Sequence, residues 1–312
     1  MLPIPTPFDS VGNLDLPALR VNIRTWNRAG VIGYAVLGST GERVHLDENE
    51  YVEVIETARA EVPSGIEGLA FIVGAGQQST HGTIKEIKKA AQAGADAVLV
   101  ITPYFYRDAV TQETLANYYS DVADTAPVPV ILYSMPALTG VRIEPSTIAD
   151  LSQHPNIIGV KDSSADVEGL RETAELCPAN FAVLTGNGTV WHDSLKAGAT
   201  GGILAVGCVV PEICVEIFQA FLAGEDERAA ILQSKLTPLA AAVTTRYGIG
   251  GLKAALDMNG YMGGAVRAPL RSPDEAARAE IARLLEDTRA AFASPTEESE
   301  IRTLRSGPTA RG

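Results

Sequence analysis

The chain has 312 residues, 46% hydrophobic and 20% charged, enough for one large domain or two small ones with a sizeable core. Its 25 basic and 38 acidic residues leave a formal net charge of −13, which argues against non-specific nucleic-acid binding, a process that depends on neutralising phosphates. No apolar stretch reaches the roughly 18 residues of a membrane span. Residues 1–7 lack a basic region followed by an apolar one, so no signal peptide is expected either.

In chain order, a first strand is expected over residues 2–6 and a helix over 16–29. An apolar run at 32–37, a helix at 48–61, a run at 69–73 and a helix at 80–93 follow. Next come a run at 97–101, a helix at 112–123, and runs at 129–133, 157–161, 181–185 and 202–206. The runs recur at about the length of a βαβ unit. Near-continuous apolar strands imply a parallel sheet covered by helices. Eight such units predict an α/β fold of the (β/α)8 TIM-barrel type over residues 1–210. An open doubly wound sheet is the alternative, but its Gly-x-Gly-x-x-Gly signature is missing after the first strand. Gly74-Ala75-Gly76 lacks the third glycine and reads as a loop turn. Helical patterns at 212–223, 226–244, 251–258 and 273–292 predict a C-terminal helical extension over 211–293 that could bury an oligomer interface. Residues 294–312 carry no apolar period and are expected to be disordered.

Cys177, Cys208 and Cys214 are too few and too uneven for a disulfide framework and fit a reducing, cytoplasmic setting. Cys208 and Cys214 read as core residues. His45, His81, His154 and His192 are far apart, so no histidine-based metal site is expected.

Lys161 ends the apolar run Ile157-Ile158-Gly159-Val160-Lys161. Desolvating an ammonium is expensive, whereas a neutral amine can attack a ketone and form a Schiff base. A bland reading is open as well: the side chain reaches solvent or pairs with Asp162. Barrel enzymes place their chemistry at the C-terminal ends of strands, and those ends carry a coherent set. Ser39-Thr40-Gly41 offers hydroxyls and backbone N–H groups suited to a carboxylate, or it is an ordinary strand-to-helix loop. Tyr133 is a candidate proton carrier, or a core tyrosine. Gly186-Asn187-Gly188 lets a substrate approach the backbone, or is a plain turn. Glu42 reads as a capping or structural carboxylate. Alternation points Lys161, Gly159, Ile157, Tyr133 and Ile131 inward, and Val160, Ile158, Leu132 and Val130 outward.

Together, Gly38–Glu42, Tyr133-Ser134-x-Pro136 and Gly159-Val160-Lys161-Asp162-Ser163 resemble the dihydrodipicolinate synthase / N-acetylneuraminate lyase family of class I aldolases, over nearly the whole chain. The resemblance implies a (β/α)8 barrel, a homo-oligomer (tetramer or dimer), a pyruvate-type 2-oxo acid substrate, and no metal or organic cofactor. It makes Lys161 the Schiff-base lysine and Tyr133 the proton shuttle. Ser39 and Thr40 would hold the 2-oxo acid carboxylate, with Ser163 and Gly186 facing the rest of the substrate. Residues 151–157, 246–253, 260–264 and 267–270 look most like the 4-hydroxy-2-oxoglutarate aldolase branch, with sugar-acid aldolases similar around 38–46. Two departures bear on substrate. Leu138 stands where the synthases carry a carboxylate-binding arginine, and an apolar side chain cannot replace that clamp. Phe105 stands where they carry an inter-subunit tyrosine, and Tyr106, one residue on, is the candidate to take its place at the substrate, as Leu138 is for the position of the arginine. The expected activity is reversible cleavage of a 4-hydroxy-2-oxo acid to pyruvate and an aldehyde, glyoxylate first. The alternatives are a synthase or sugar-acid aldolase with the same Schiff-base chemistry, or a non-catalytic pyruvate-binding barrel.

Overall fold

The computed structural model describes residues 1–63 and 69–293. The segment 294–312, expected to be disordered, lies outside the described residues. Eight parallel strands form one sheet in sequential order, β1 to β8: Leu2–Ile4, Gly33–Val36, Ala70–Ala75, Ala97–Ile101, Val130–Ser134, Ile157–Asp162, Ala182–Thr185 and Gly201–Gly202. Met1 bridges the outer strands: its ammonium donates to the Gly202 carbonyl at 2.9 Å, and its own carbonyl accepts from Leu204 N–H at 3.2 Å. Sequential parallel order is that of a (β/α)8 barrel, not of a doubly wound sheet.

The helices between strands are α1 Leu16–Trp26, α2 Glu48–Arg59, α3 Thr80–Gln92, α4 Gln112–Thr125, α5 Pro136–Thr139, α6 Pro145–Leu151, α7 Val167–Leu176 and α8 Trp191–Lys196. Side-chain caps fix several starts. Asp15, Ser79, Thr111 and Asp166 accept from N–H groups of the first turn, and Asp47 with Glu50 forms a capping box on α2. After β8 come α9 Pro211–Leu222, α10 Asp226–Ala241, α11 Gly248–Met258 and α12 Glu275–Ala293. They pack on the strand–helix body. Trp191 Nε1 donates to the Cys214 carbonyl at 3.1 Å, and Gln233 Nε2 donates to that of Gly188 at 3.0 Å.

Two apolar layers explain why the strands read as continuous apolar runs. Ala35, Ile72, Leu99, Ile131, Tyr133 and Ile203 pack together inside the sheet, while Val36, Val73, Val98, Leu132 and Val160 join the larger layer under the helices. Cys208 and Cys214 are buried free thiols, as expected of core residues.

Four expectations need correction. Gly74 and Ala75 belong to β3 rather than to a loop, because the strand must pass against the Leu37 carbonyl, which a side chain at Gly74 would strike. The alternation of β6 breaks at its start: Val130 pairs with Ile157 and Ile131 with Gly159, so Ile158 is an extra, bulged residue. Ile157 therefore packs under the helices, and Ile158 is 39% exposed. β8 stops after Gly202, since the chain turns into a 3₁₀ segment at Ala205–Cys208. The expected helix 226–244 gives way to π geometry at Ala242–Arg246, a few residues beyond Pro238, which cannot donate to the helical ladder.

Candidate active site

Parallel register sets Ile101 beside Tyr133 and Tyr133 beside Lys161 at the C-terminal ends of β4, β5 and β6. Tyr133 is 2% exposed and Lys161 3%. The Lys161 Nζ lies 4.4 Å from the centre of the Tyr133 ring. The Tyr133 hydroxyl shares a 3.0 Å hydrogen bond with the Ser39 hydroxyl. A continuous line of groups thus runs Ser39–Tyr133–Lys161. Among the described residues no carboxylate pairs with Lys161. Asp162 is engaged elsewhere, its carboxylate accepting from both the N–H and the hydroxyl of Ser164. Neither bland reading of the lysine survives, since it is neither solvated nor paired.

Ser39–Gly41 forms a single 3₁₀ turn directly after β2. The turn is bracketed by two non-glycine residues in the left-handed region, Leu37 at φ 57° and Glu42 at φ 53°. Such conformations cost about 1–3 kcal/mol each and persist only where surrounding contacts impose them. The contacts are visible. Gly74 leaves space for the Leu37 carbonyl. The Thr6 hydroxyl donates to the Gly41 carbonyl at 2.7 Å. Thr40 is buried beside Ser39.

β6 continues its pairing past the lysine on both sides, with the ends of β5 and β7. Ser163 N–H donates to the Ser134 carbonyl at 3.0 Å, and Gly186 N–H donates to the Asp162 carbonyl at 2.6 Å. A Cβ on Gly186 would lie 2.6 Å from Lys161 Cε and collide with Ser163 Oγ, so glycine is required for this approach. Ser163 Oγ is buried with no partner among the described residues, as are Thr102 Oγ1 and Ser134 Oγ on other strand ends. Unpartnered buried hydroxyls are costly, and a polar substrate atom near Lys161 would satisfy Ser163.

The remaining expected residues occupy the rim. Leu138 on α5 is 63% exposed, Tyr106 73% and Phe105 72%. They do not reach the buried cluster within this chain. Gln78 holds the 104–106 loop by accepting from the N–H groups of Tyr104 and Phe105, both at 2.9 Å. Arg107 lays its guanidinium against Gly140, two residues beyond Leu138.

Sequence reading missed a second buried lysine. Lys253 on α11 forms a 2.6 Å ion pair with Glu42, with side-chain exposures of 2% and 1%. Burial pushes the Lys253 ammonium below the usual lysine range, and Glu42 opposes that shift. Lys253 also donates to the Ala265 carbonyl at 2.6 Å. Glu42 accepts from Arg267 N–H at 3.0 Å, and the Arg267 guanidinium clamps Glu50. The available signal was a charge inside the apolar helix Gly251-Leu252-Lys253-Ala254-Ala255-Leu256. Among the described residues, no group of three His, Cys, Asp or Glu side chains is arranged to hold a metal ion.

Comparison with known proteins gives a consistent result. Residues 1–288 match the family model described as the dihydrodipicolinate synthetase family. The chain is 34% identical over 288 residues to the 4-hydroxy-tetrahydrodipicolinate synthase of Syntrophus aciditrophicus (strain SB), covering 91% of this chain and 96% of that one. It superposes on dihydrodipicolinate synthase DapA-2 from Bacillus anthracis with a TM-score of 0.87 and 28% identity, covering 95% and 97% of the two chains. It is also similar to YagE, a prophage protein of the same family from Escherichia coli K12 solved in complex with pyruvate. There the TM-score is 0.84 and the identity 30%, with 92% and 97% covered.

Proposed function

From the premise that this chain belongs to the dihydrodipicolinate synthetase family, we propose that Lys161 forms a Schiff base with pyruvate and that Tyr133 moves the proton when the adjoining carbon–carbon bond is made or broken. The protein is an enzyme, a pyruvate-dependent carbon–carbon lyase of the aldolase type. The observation that carries the assignment of residues is Lys161 itself: buried, without an anionic partner among the described residues, and on the face of a tyrosine hydrogen-bonded to Ser39.

In the cleavage direction, the Lys161 amine adds to the C2 ketone of a 4-hydroxy-2-oxo acid, and loss of water leaves an iminium. The C4 hydroxyl gives its proton towards Tyr133, with Ser39 next in the line. The C3–C4 electron pair flows into the iminium, the aldehyde departs, and an enamine of pyruvate remains. Protonation at C3 and hydrolysis release pyruvate and regenerate the amine. Hydroxyl and N–H groups of the Ser39–Thr40 turn hold the pyruvate carboxylate throughout, and Ser163 hydrogen-bonds the substrate beside Gly186. The group held covalently is the substrate alone, so the cycle uses no separate cofactor. Lys161→Ala is expected to abolish turnover while leaving the circular-dichroism spectrum and melting temperature nearly unchanged.

The second substrate has two readings, each with its own support. The relatives' name, 4-hydroxy-tetrahydrodipicolinate synthase, favours condensation of pyruvate with aspartate semialdehyde. Leu138, in place of the synthases' carboxylate clamp, weighs against that reading, and the likeness of residues 151–157, 246–253, 260–264 and 267–270 to the 4-hydroxy-2-oxoglutarate aldolase branch supports the second, cleavage to pyruvate and glyoxylate. The comparisons weigh towards the first reading and the rim residue against it. Comparing kcat/KM for the two reactions on one enzyme preparation separates them; glyoxylate without measurable turnover would remove the aldolase reading. The exposed Phe105, Tyr106 and Leu138 suit cover by a second copy of the chain, in keeping with a homo-oligomer.

A further inference from the structure

The Glu42–Lys253 pair ties the Ser39–Thr40 turn to a helix far along the chain. Both charges are withdrawn from water, and each has further partners: the Ala265 carbonyl for the lysine, and the Arg267 N–H and the His45 ring (Nδ1 at 3.2 Å) for the carboxylate. The Lys253 ammonium also rests 4.5 Å from the centre of the Phe8 ring. The construction is specific to close packing. A Cβ on Gly263 would strike the Lys253 carbonyl, and one on Gly264 would sit 2.7 Å from that of Phe8. A buried ion pair is weak as a source of stability, because desolvation offsets the attraction. It is strong as a locator, because neither charge tolerates displacement from the other.

What it locates is the turn. Glu42 is the last residue of the bracket and is held at φ 53°. Ser39 shares its hydroxyl hydrogen bond with Tyr133 at 3.0 Å. Displacement of Glu42 would therefore be felt at the proposed carboxylate site and at the tyrosine hydroxyl together.

We infer that Glu42 and Lys253 are positioning residues for the reaction, setting the turn that receives the 2-oxo acid carboxylate and aligning Tyr133 through Ser39. The inference rests on the reading of Lys161 as the Schiff-base lysine and of residues 39–40 as the carboxylate site. Lys253 does not itself meet the substrate.

The test uses Lys253→Met, Glu42→Gln and the double variant, with borohydride trapping of pyruvate on wild-type protein alongside. Glu42→Gln leaves the buried Lys253 without its carboxylate, and Lys253→Met leaves Glu42 with only the Arg267 N–H and the His45 ring, so each single variant is expected to melt at lower temperature. The double variant removes both charges and is expected to recover most of the melting temperature. Its KM for pyruvate is nevertheless expected to stay raised on the order of tenfold or more, with the adduct at saturating pyruvate still on Lys161. A KM returning to the wild-type value together with the melting temperature would reduce the pair to a structural role and overturn the inference. An adduct on Lys253 would overturn it as well. Absence of any adduct on the wild-type protein would defeat the underlying chemistry, an outcome distinguishable from the other two.

Discussion

Tyr133 and Lys161 lie side by side in the β5–β6 register, so their roles can be separated by experiment. Tyr133→Phe removes the hydroxyl that meets Ser39 but keeps the ring beside Lys161 Nζ. Turnover is expected to fall by a factor of roughly a hundred to ten thousand, while pyruvate is still trapped on Lys161. Loss of trapping in that variant would mean that the tyrosine is needed for iminium formation itself. Lys161 was legible in the sequence because a charge at the end of an apolar strand has no structural use. Lys253 is the same kind of anomaly in a helix, where a long side chain can ordinarily reach water. Only the fold brings Glu42 to it and removes that escape. Ser163 and Gly186 could be placed at strand ends, but the near-contact between them follows from backbone approach that spacing alone does not encode.

Strands were legible from apolar runs because each is buried on both faces, and their boundaries shifted by only a few residues. Faces were harder. Alternation correctly turned Ile131 and Tyr133 inward, yet failed at Ile157 and Ile158, where one bulged residue offsets the pairing. A bulge has no apolar signature, since Ile serves equally well in the core and in the extra position. Gly159 lies just beyond the bulge, and a Cβ there would sit 2.6 Å from the Ala182 carbonyl. Gly159→Val is accordingly expected to force β6 from β7 and destabilise the protein by roughly 1–3 kcal/mol. It should also depress activity by moving Lys161. Unchanged melting and turnover would show that the two strands part without consequence.

Across the whole molecule, residues that carried the resemblance to one aldolase branch turn out to be scaffold. Asn156 donates to the carbonyls of Ala123 and Ala126, Lys253 and Arg267 converge on Glu42, and Gly263 admits the backbone of α11. None of these residues touches Lys161, and Lys253 and Glu42 reach it only through the Ser39–Thr40 turn, so the likeness of these segments to that branch leaves the aldehyde to be measured. No helix among the described residues is long and apolar enough to cross a membrane. The surface carboxylates set the pH response. Hydrogen bonds from Arg267 hold Glu50 below the ordinary glutamate value of 4.5, and those from Arg24 do the same for Glu61. The Gly169 N–H, with Arg142, lowers Asp166 from 3.8. Groups with lowered folded values stabilise the protein above their unfolded values and lose that contribution as pH falls through the folded ones. The melting temperature is therefore expected to hold down to about pH 5 and to decline steadily below about pH 4.5. A flat profile down to pH 3 would mean that these pairs contribute nothing measurable, as solvent screening alone can bring about for exposed pairs.

The most direct measurement is borohydride reduction in the presence of pyruvate, followed by intact-protein and peptide mass spectrometry. The account requires a single reduced pyruvate adduct, mapped to the peptide containing Lys161 and absent from Lys161→Ala. With pyruvate in excess and the protein folded, an unmodified Lys161 would contradict the Schiff-base mechanism and leave the eight-stranded fold without its proposed nucleophile.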